Sequence, residues 1–596
     1  GVGAGIEQFA RAGVRRDQVV VTNSSGLSAG SMAEYVIGRL LQVWKRFPEQ
    51  AELQARREYK QTWGRTFAGS TLGIVGLGNI GRAVGEPRQL TQHLEAVGRD
   101  IIQAAERVLE RGGSVIDAMI ATSAVLCVVL PHATSFGGDA FFLFHNSKSG
   151  RTEGLNASGH APEGATAEFF RDGMLARGPL AFSIPGIVRG WEQIHRRHGL
   201  LPWRDLFSDA IEVAEAHPLS RILAAGMTLF HNDVGADPGC SAIYMPGGVP
   251  MKAGEIVRQP VLAETIREIA ENGSGPFYEG RIARSIGEYS KSNGGLASAA
   301  DFEGYEPEWV EPIETDYRGR TVRVMPPNSY GLMMLMQLNA LSGLSSEEIA
   351  GDDADRLGFQ MRAMRAAFAE GRHYIADPKT NPAPIDELLG REVTRRLQRA
   401  VKTGEHEALP HPVGGTSCIT IADHTGDAIS VVQSVFHVFG SCFLDPGTGI
   451  LLNNRMTGFS IEPGAANVVA PNKRPSHTLN PVVVLENDRV RYLMTTPGGP
   501  AQTMTNVQVL THMVDRGMEL MEAIEEPRWS LNLAGEILLD EVIPNETADK
   551  LVSMGFQSRR AAGAAYFGSA KMMEILPSGV MCGVADIRRE AYAVGA

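Results

Sequence analysis

The sequence predicts an α/β (α+β) protein, and three observations support that fold class. From Gly112 onward, segments with helical periodicity alternate with segments of alternating apolar and polar residues, a pattern typical of packed helices and strands. After Thr416 the strand patterns dominate. Near the start, one strand at 70–75 leads through a glycine-rich loop into a helix. With 596 residues, the chain is long enough for more than one domain.

Each element follows from its local pattern. Helical periodicity marks the segments 31–59, 101–111, 114–130, 188–198, 354–370 and 502–513. Short runs rich in apolar and β-branched residues predict strands at 140–145, 417–423, 428–435, 481–486 and 489–496, and the run that Thr416 opens alternates. The turn at 424–427 joins two of these strands, which therefore form a hairpin.

Composition argues against several classes of partner. The chain has 56 basic and 68 acidic side chains, a net charge of −12 and no long basic run, which argues against nucleic acid or an anionic membrane. Its five cysteines stand singly, so neither a disulfide framework nor a zinc site is predicted. The apolar run 118–130 is too short to span a bilayer. No signal peptide is visible, so a cytoplasmic location is expected, although a leader ahead of the first residue stays open.

Residues 1–90 differ from the rest of the chain. The strand 70–75 and the glycines Gly76, Gly78 and Gly81 give the strand–loop–helix order of a dinucleotide-binding loop. This segment resembles the start of the coenzyme domain of D-2-hydroxyacid dehydrogenases, which implies a partial Rossmann-like fragment. The likeness ends near Pro87, and no second strand ending in an acidic residue follows. We therefore expect an orphan fragment without a bound cofactor, produced by a gene fusion or a misassembled reading frame.

The step from Gly415 to Thr416 carries the strongest functional signal. Thr416 opens a strand directly after a flexible glycine pair. If the Gly415–Thr416 bond breaks, Thr416 becomes an N-terminal nucleophile. Its own α-amine, with an ordinary pKa of about 7.7–8.0, then takes the hydroxyl proton. Most Gly-Gly-Thr steps are plain turns, so this interpretation depends on the surrounding sequence.

Motifs on both sides of Thr416 supply that support. They comprise Gly137–Asp139, Pro185-Gly186, Asp377-Pro378, Phe439–Ser441, Pro446–Asn454, Lys473–Pro475, Pro497–Gly499, Glu526–Trp529 and Asp586. In this order they resemble γ-glutamyltransferases, which are N-terminal-nucleophile (Ntn) hydrolases, over about residues 91–596. The resemblance implies a four-layer αββα sandwich, with 91–415 as the large subunit and 416–596 as the small catalytic subunit after self-cleavage. The two subunits are expected to stay associated, and a dimer of such heterodimers is left open.

The same resemblance implies the catalytic residues. Thr416 is the nucleophile and, through its α-amine, the base. Ser434 orients it, with a plain strand serine that faces outward as the alternative. Gly498 and Gly499 follow a strand, and their N–H groups would stabilise the oxyanion. The cleavage site is Gly415–Thr416, and the reaction needs no metal or organic cofactor.

The substrate-binding positions depart from the γ-glutamyl pattern. Ser158 and Gly458 stand where members of that family carry the charged residues for the α-carboxylate and the α-amine of the substrate. Phe436, His477 and Thr478 stand in place of an asparagine and two serines. Both charged contacts for a glutamyl group are therefore missing.

A new charge stands at Arg455, where members of that family have a neutral glutamine. An arginine binds a carboxylate with two parallel hydrogen bonds, and His160 and His477 are expected nearby. A structural ion pair is the alternative for Arg455. The pattern resembles the acylase and amidohydrolase branch of the family. We therefore predict hydrolysis of a small acidic acyl amide through an acyl-Thr416 intermediate.

Three alternatives remain. A genuine γ-glutamyltransferase or glutathione hydrolase with a rearranged pocket would still cleave γ-glutamyl amides. An NAD-binding oxidoreductase would depend on residues 1–90. An inert fusion would result if the strand that members of the family have ahead of Ile101 is missing, because 85–98 makes a poor strand.

Overall fold

The computed structural model describes residues 87–404, 415–531, 536–561, 567–586, 588–589 and 591–593. Contacts within the chain define two compact units, residues 1–96 and 97–596, and the sandwich described below belongs to the second. The predicted helix 31–59, the strand 70–75 and the glycines Gly76, Gly78 and Gly81 lie outside the described residues.

Two antiparallel sheets form the centre of this unit. The strands of the described chain are β1 (Asp139–Asn146), β2 (Arg151–Ala157), β3 (His217–Pro218), β4 (Ile256–Val257), β5 (Glu308–Val310), β6 (Ile313–Tyr317), β7 (Arg320–Val324), β8 (Gly415–Ala422), β9 (Ala428–Phe436), β10 (Leu444–Asp445), β11 (Ile450–Leu451), β12 (Val482–Glu486), β13 (Arg489–Thr495), β14 (Trp529–Leu531), β15 (Ile537–Asp540), β16 (Ser558–Ala561), β17 (Lys571–Ile575) and β18 (Met581–Ala585). The first sheet has the order β5-β2-β1-β9-β8, and the second has the order β18-β17-β13-β12-β7-β6.

Helices cover the outer faces of both sheets. The helices of the described chain are α1 (Pro87–Glu110), α2 (Val115–Val129), α3 (Ile187–His198), α4 (Ser208–Glu215), α5 (Arg221–Leu229), α6 (His231–Ala236), α7 (Pro238–Tyr244), α8 (Pro260–Asn272), α9 (Gly275–Tyr278), α10 (Arg281–Ser292), α11 (Ala299–Glu303), α12 (Gly331–Leu341), α13 (Ser346–Ile349), α14 (Asp353–Gly371), α15 (Ile385–Leu388), α16 (Arg391–Thr403), α17 (Ala501–Asp515), α18 (Leu520–Glu525) and α19 (Asn545–Ser553). None of the helices in these described segments is both long and apolar enough to cross a bilayer.

Side-chain alternation along the strands builds the layers. In β1, Phe141 and Leu143 point to the second sheet, where they join Val483 and Leu493 in a core between the sheets. Phe142, between them in the chain, points the other way and packs against α2, α3, α4, α8 and α10. On the far side, the second sheet packs against α12, α14, α16 and α17. The predicted order of helix, sheet, sheet and helix is confirmed.

Helix α2 anchors the first helical layer. Every residue from Val115 to Val129 is buried, as a helix that is apolar on all sides requires. Ser114 and Asp117 form a reciprocal capping box at its start. One oxygen of Asp117 accepts three backbone N–H groups, from Ser114 at 2.8 Å, Leu200 at 2.9 Å and Leu201 at 3.1 Å. This carboxylate therefore ties the start of α2 to the loop after α3.

Predictions for the strongly patterned segments are confirmed to within a few residues. They are 114–130, 140–145, 188–198, 354–370, 417–423, 428–435, 481–486, 489–496 and 502–513. The segment 87–98, part of the stretch that makes a poor strand, is helical, because α1 begins at Pro87 rather than at the predicted Ile101. Proline suits the first turn of a helix, where its missing N–H would have no partner.

Both sheets combine strands from the two sides of Gly415–Thr416. In the first sheet, β1 pairs with β9 from Asp139↔Ser434 to His145↔Ala428. In the second sheet, β7 pairs with β12 from Val324↔Val482 to Thr321↔Leu485. Neither sheet is complete without strands from both sides of that bond.

Candidate active site

Thr416 lies at the start of β8, on the edge of the first sheet. Gly415 pairs with Phe436 and Ser417 pairs with Gln433, so the register shifts by one residue between these two pairs. Thr416 therefore faces a bulge of two residues in β9, Ser434 and Val435. Bulges of this kind recur beside active sites, where they redirect a side chain.

Three polar side chains stand in a row on the inner face of the first sheet. Strand alternation places Thr416 on the same face as Cys418, and Ser434 on the same face as Val432, both of which border the core between the sheets. Asp139 pairs directly with Ser434 from the other side. All three are buried, and the Ser434 hydroxyl accepts the N–H of Phe436 at 2.7 Å. The structure thus brings Thr416 and Ser434 together, as the sequence predicts, and adds Asp139.

Gly498 and Gly499 lie in the turn between β13 and α17. Both have positive φ, 132° and 58°, a backbone region that glycine tolerates without strain. Cys418, two residues after Thr416, packs in the same core between the sheets as Leu493 of β13, the strand that leads into this turn. Among the described residues, neither glycine N–H donates to an acceptor, although both carbonyls accept from α17.

Arg455 is completely buried beside this row. Its guanidinium lies 4.0 Å from the ring centre of Phe436, and its Nε is 3.6 Å from Asp139 Oδ2. None of its three side-chain nitrogens has a hydrogen-bond partner among the described residues. Burial lowers the pKa of Arg455 to about 10, although Asp139 opposes this shift. A buried cation with free donors is costly, and a bound carboxylate would satisfy it.

His477 contacts the same carboxylate from another direction. Its Nε2 is 3.4 Å from Asp139 Oδ2, and its ring packs edge-on against Phe141 with ring centres 4.8 Å apart. Its Nδ1 is buried without a hydrogen-bond partner in the described part of the chain. Burial, assisted by the charge of Arg455, lowers the pKa of His477 to about 4, so the ring is neutral at pH 7.

The position of Ser158 is occupied by a neutral network. The Ser158 hydroxyl donates to Asn156 Oδ1 at 2.7 Å, and Asn328 Nδ2 donates to Ser158 Oγ at 3.2 Å. Gly458, without a side chain, offers only its carbonyl, which accepts from Asn467 at 2.6 Å and from Ser476 at 2.9 Å. Neither position supplies a charge to a ligand.

Thr478 and His160 are the remaining residues that the sequence predicts for the site. Thr478 is buried next to His477 in the chain. His160 Nδ1 lies 3.0 Å from the Ala161 carbonyl oxygen, and its ring centre is 5.9 Å from that of Tyr305. His160 lines a cavity of about 500 Å³ that also includes Asp377, Lys379 and Arg474. Arg455 is not among the residues that line this cavity, and the expectation that His160 lies near Arg455 stays a prediction.

Sequence reasoning assigns no role to Asp139, which the structure places beside Arg455 and His477. This residue occurs in the motif Gly137–Asp139. Its partners, Arg455 and His477, come from segments more than 300 positions away, so no local pattern reveals the contact. The available signal is an acidic residue directly before five apolar residues, 140–144. In the described chain, no group of three or more His, Cys, Asp or Glu side chains is arranged to hold a metal ion.

Comparison with known proteins adds independent information. A family model described as Gamma-glutamyltranspeptidase matches residues 102–596. The chain is 30% identical over 504 residues to the glutathione hydrolase-like YwrD proenzyme of Bacillus subtilis (strain 168), covering 83% of this chain and 96% of that protein. It is 31% identical over 444 residues to the oxamate amidohydrolase proenzyme of Klebsiella pneumoniae, covering 72% of this chain and 83% of that protein.

A solved structure agrees with the fold. The crystal structure of cephalosporin acylase from Bacillus halodurans superposes with a TM-score of 0.77 at 31% sequence identity, covering 83% of this chain and 94% of that one. A second family model, for the NAD-binding domain of D-isomer specific 2-hydroxyacid dehydrogenases, matches residues 37–136. It supports the predicted likeness of the N-terminal segment and extends it beyond residue 90, into residues that the structure places in α1 and α2.

Proposed function

The chain belongs to the gamma-glutamyltranspeptidase family of enzymes, and on that premise we propose that Thr416 is the nucleophile of an amide hydrolysis. The observation that carries the proposal is the placement of Thr416 opposite Ser434, on the inner face of the sheet, which packs against the strand that leads to the turn at Gly498. A nucleophile and free N–H donors at one end of the two sheets are the components that acyl transfer requires.

Activation would use the same groups. Thr416 Oγ attacks the Gly415 carbonyl carbon, the acyl group moves from nitrogen to oxygen, and water cleaves the resulting ester. The products are residues 1–415 with a new carboxylate and residues 416–596 with a free α-amine on Thr416. That amine supplies the base for the later reaction.

Catalysis then has two halves. Thr416 Oγ attacks the substrate amide carbonyl while the α-amine takes the hydroxyl proton, and the Gly498 and Gly499 N–H groups stabilise the oxyanion. The proton passes to the leaving amine as the carbon–nitrogen bond breaks, which leaves an acyl-Thr416 ester. Water, deprotonated by the same α-amine, hydrolyses the ester and releases the acid. Ser434 orients the Thr416 hydroxyl.

The substrate would be a small acyl amide that carries a carboxylate, rather than a γ-glutamyl compound. The unsatisfied guanidinium of Arg455 favours a carboxylate on the acyl group. The neutral network around Ser158 and the bare backbone at Gly458 offer no ion pair to a glutamyl amino acid. Relatives named as an oxamate amidohydrolase and an acylase are compatible with this preference.

Intact-mass analysis of the purified protein beside Thr416→Ala tests the proposal. We expect two chains that meet at Gly415–Thr416 in the wild type and one uncut chain in the variant. Thr416→Ser serves as the matched control, because it keeps a hydroxyl and should still be cut. An uncut wild type, or cleavage at another bond, would refute Thr416 as the nucleophile.

A native gel-filtration run of the cut protein tests subunit association. Because both sheets contain strands from each side of the bond, we propose that the two chains elute together. Separation of the chains without denaturant would contradict this arrangement.

A further inference from the structure

We propose that Asp139, Arg455 and His477, here called the Asp139 cluster, recognise an acyl group that carries a carboxylate and, next to it, an uncharged N–H or O–H donor. The inference rests on the proposed function, because the cluster acts on catalysis only if Thr416 is acylated. It narrows the substrate from any acidic acyl amide to one class, of which 2-hydroxy acids are the simplest members.

The carboxylate requirement comes from Arg455. Its side chain is fully buried, and Nε, Nη1 and Nη2 all lack hydrogen-bond partners among the described residues. Asp139 lies too far away, at 3.6 Å from Nε, to form a good hydrogen bond, so it balances charge without using the donors. The fork of the guanidinium therefore remains free for a planar anion.

The donor requirement comes from the tautomer of His477. A carboxylate only accepts hydrogen bonds, so the ring proton of neutral His477 belongs on Nε2, which faces Asp139 Oδ2 at 3.4 Å. Nδ1 then carries a lone pair, and it is buried without a partner in the described chain. A ligand that supplies an N–H or O–H to this atom removes an unsatisfied buried acceptor.

An ammonium group fits the same position poorly. Asp139 Oδ1 already accepts the Gly159 N–H at 2.8 Å, and Oδ2 faces both Arg455 and His477. An ammonium would therefore place a second cation beside Arg455. Its three protons would find one free acceptor in the cluster, His477 Nδ1. A hydroxyl or an amide N–H needs a single acceptor, which His477 Nδ1 provides.

The cluster lies on the acyl side of the nucleophile. Asp139 pairs with Ser434, which stands opposite Thr416. Arg455 stacks on Phe436, whose strand partner is Gly415. A group bound by the cluster would therefore sit next to the carbon that Thr416 attacks.

The test compares p-nitroanilides of matched four-carbon acids on wild type, His477→Gln and His477→Asn. The acids are 2-hydroxysuccinate, succinate and aspartate, each linked through the carboxyl group distant from the substituent. We expect wild type to favour the hydroxyl compound over the succinyl compound about tenfold in kcat/KM, the effect of one buried hydrogen bond. Glutamine keeps a donor toward Asp139 without an acceptor at Nδ1, so the ratio should fall to about one. Asparagine places an amide near Nδ1 and should restore part of the preference.

Three results would overturn the inference. They are equal wild-type rates on the hydroxyl and succinyl compounds, an equal loss on both in His477→Gln, or fastest hydrolysis of the aspartyl compound. Calorimetric titration with 2-hydroxybutanoate and butanoate distinguishes failure of the Asp139 cluster from failure of the proposed role of Thr416. Tighter binding of the hydroxy acid without turnover of any anilide would refute the role of Thr416 and retain the Asp139 cluster. Turnover of the anilides with no preference for the hydroxy compound in either assay would refute the Asp139 cluster and retain Thr416 as the nucleophile.

Discussion

A single buried arginine sets the charge beside the candidate nucleophile. Arg455 has no exposure to solvent, its donors are free among the described residues, and the nearest carboxylate is that of Asp139. Removing water from a cation costs several kcal/mol unless charge and hydrogen bonds compensate. Asp139 supplies the charge, and we propose that the substrate supplies the hydrogen bonds.

Replacing Arg455 with glutamine should therefore change substrate preference more than overall activity. We expect kcat/KM for a succinyl anilide to fall about 100-fold relative to that for a butanoyl anilide, since a hydrogen-bonded charge contributes about 1.5–3 kcal/mol. Arg455→Lys keeps the charge without the fork and should lose about tenfold. Equal losses on both anilides would show that Arg455 has only a structural role.

The Asp139–Arg455 pair can also be examined through stability. Asp139→Asn should lower the free energy of unfolding by about 3–5 kcal/mol, because it leaves the guanidinium buried without a counter-ion. Adding Arg455→Met should recover most of that loss, since no charge then remains. Urea unfolding of both variants in the uncut Thr416→Ala background gives the comparison. A double variant less stable than Asp139→Asn would contradict the argument.

Sequence motifs predict most residues of the candidate site but not the contacts between their side chains. Thr416, Arg455 and His477 each stand in a recognisable local pattern, whereas the role of Asp139 arises from three distant segments meeting at one carboxylate. His160 is a second case. Its motif suggests proximity to Arg455, and the structure adds what that motif does not indicate, a cavity that His160 lines together with Arg474. Local sequence specifies residue types well and distant side-chain geometry poorly.

At the level of single elements, the start of α2 carries an unusual share of the hydrogen bonding. The Asp117 carboxylate accepts N–H groups from Ser114, Leu200 and Leu201, so it closes the capping box and holds a second loop. The apolar, fully buried helix that follows cannot shift to satisfy these donors in another way.

Substitution of Asp117 by alanine should therefore destabilise the protein by about 3 kcal/mol, because several backbone donors lose their acceptor. Ser114→Ala removes only the other half of the capping box and should cost about 1 kcal/mol. Thermal unfolding of the two variants in the uncut background measures the difference. Similar losses in both would mean that the contacts with Leu200 and Leu201 contribute little.

Elements were predictable where their pattern is strong. Helices such as α14 and strands such as β9 follow from periodicity and were expected at nearly their observed bounds. Strands β6, β7, β17 and β18 are not among the predicted strands. Charged or polar residues interrupt β6, β7 and β17, and all four lie toward the sheet edges. Their pairing partners, rather than their own sequences, determine their structure.

For the whole molecule, several buried histidines make stability depend on pH. Burial lowers the pKa of His132, His437 and His477 to about 4 each, below the ordinary value of 6.5. Between pH 6.5 and 4 the unfolded chain therefore binds protons that the folded chain does not. The stabilisation is complete above pH 6.5 and decreases as pH falls toward 4.

We expect the urea midpoint to decrease steadily from pH 7 to pH 5, with each such histidine contributing up to about 1.4 kcal/mol per pH unit. His132→Gln should reduce the slope, since glutamine does not titrate. Ion pairs of depressed carboxylates add a further loss at lower pH. Asp586 is an example: burial raises its pKa, but Arg528 and Arg588 lower it more. A midpoint independent of pH over this range would contradict the assignment.

Because each sheet contains strands from both sides of Gly415–Thr416, cleavage of this bond would change how the protein refolds. In the intact chain, β1 finds β9 and β7 finds β12 as parts of one tethered polymer. After cleavage, the same pairings would join two separate chains, so recovery from complete denaturation would become second order and depend on dilution. The loss of the tether also removes the high local concentration that favours correct assembly. Self-processing would thus separate catalytic activity from the ability to refold as a single chain. The uncut form would refold by itself but be inactive, and the cut form would be active but need both chains to refold.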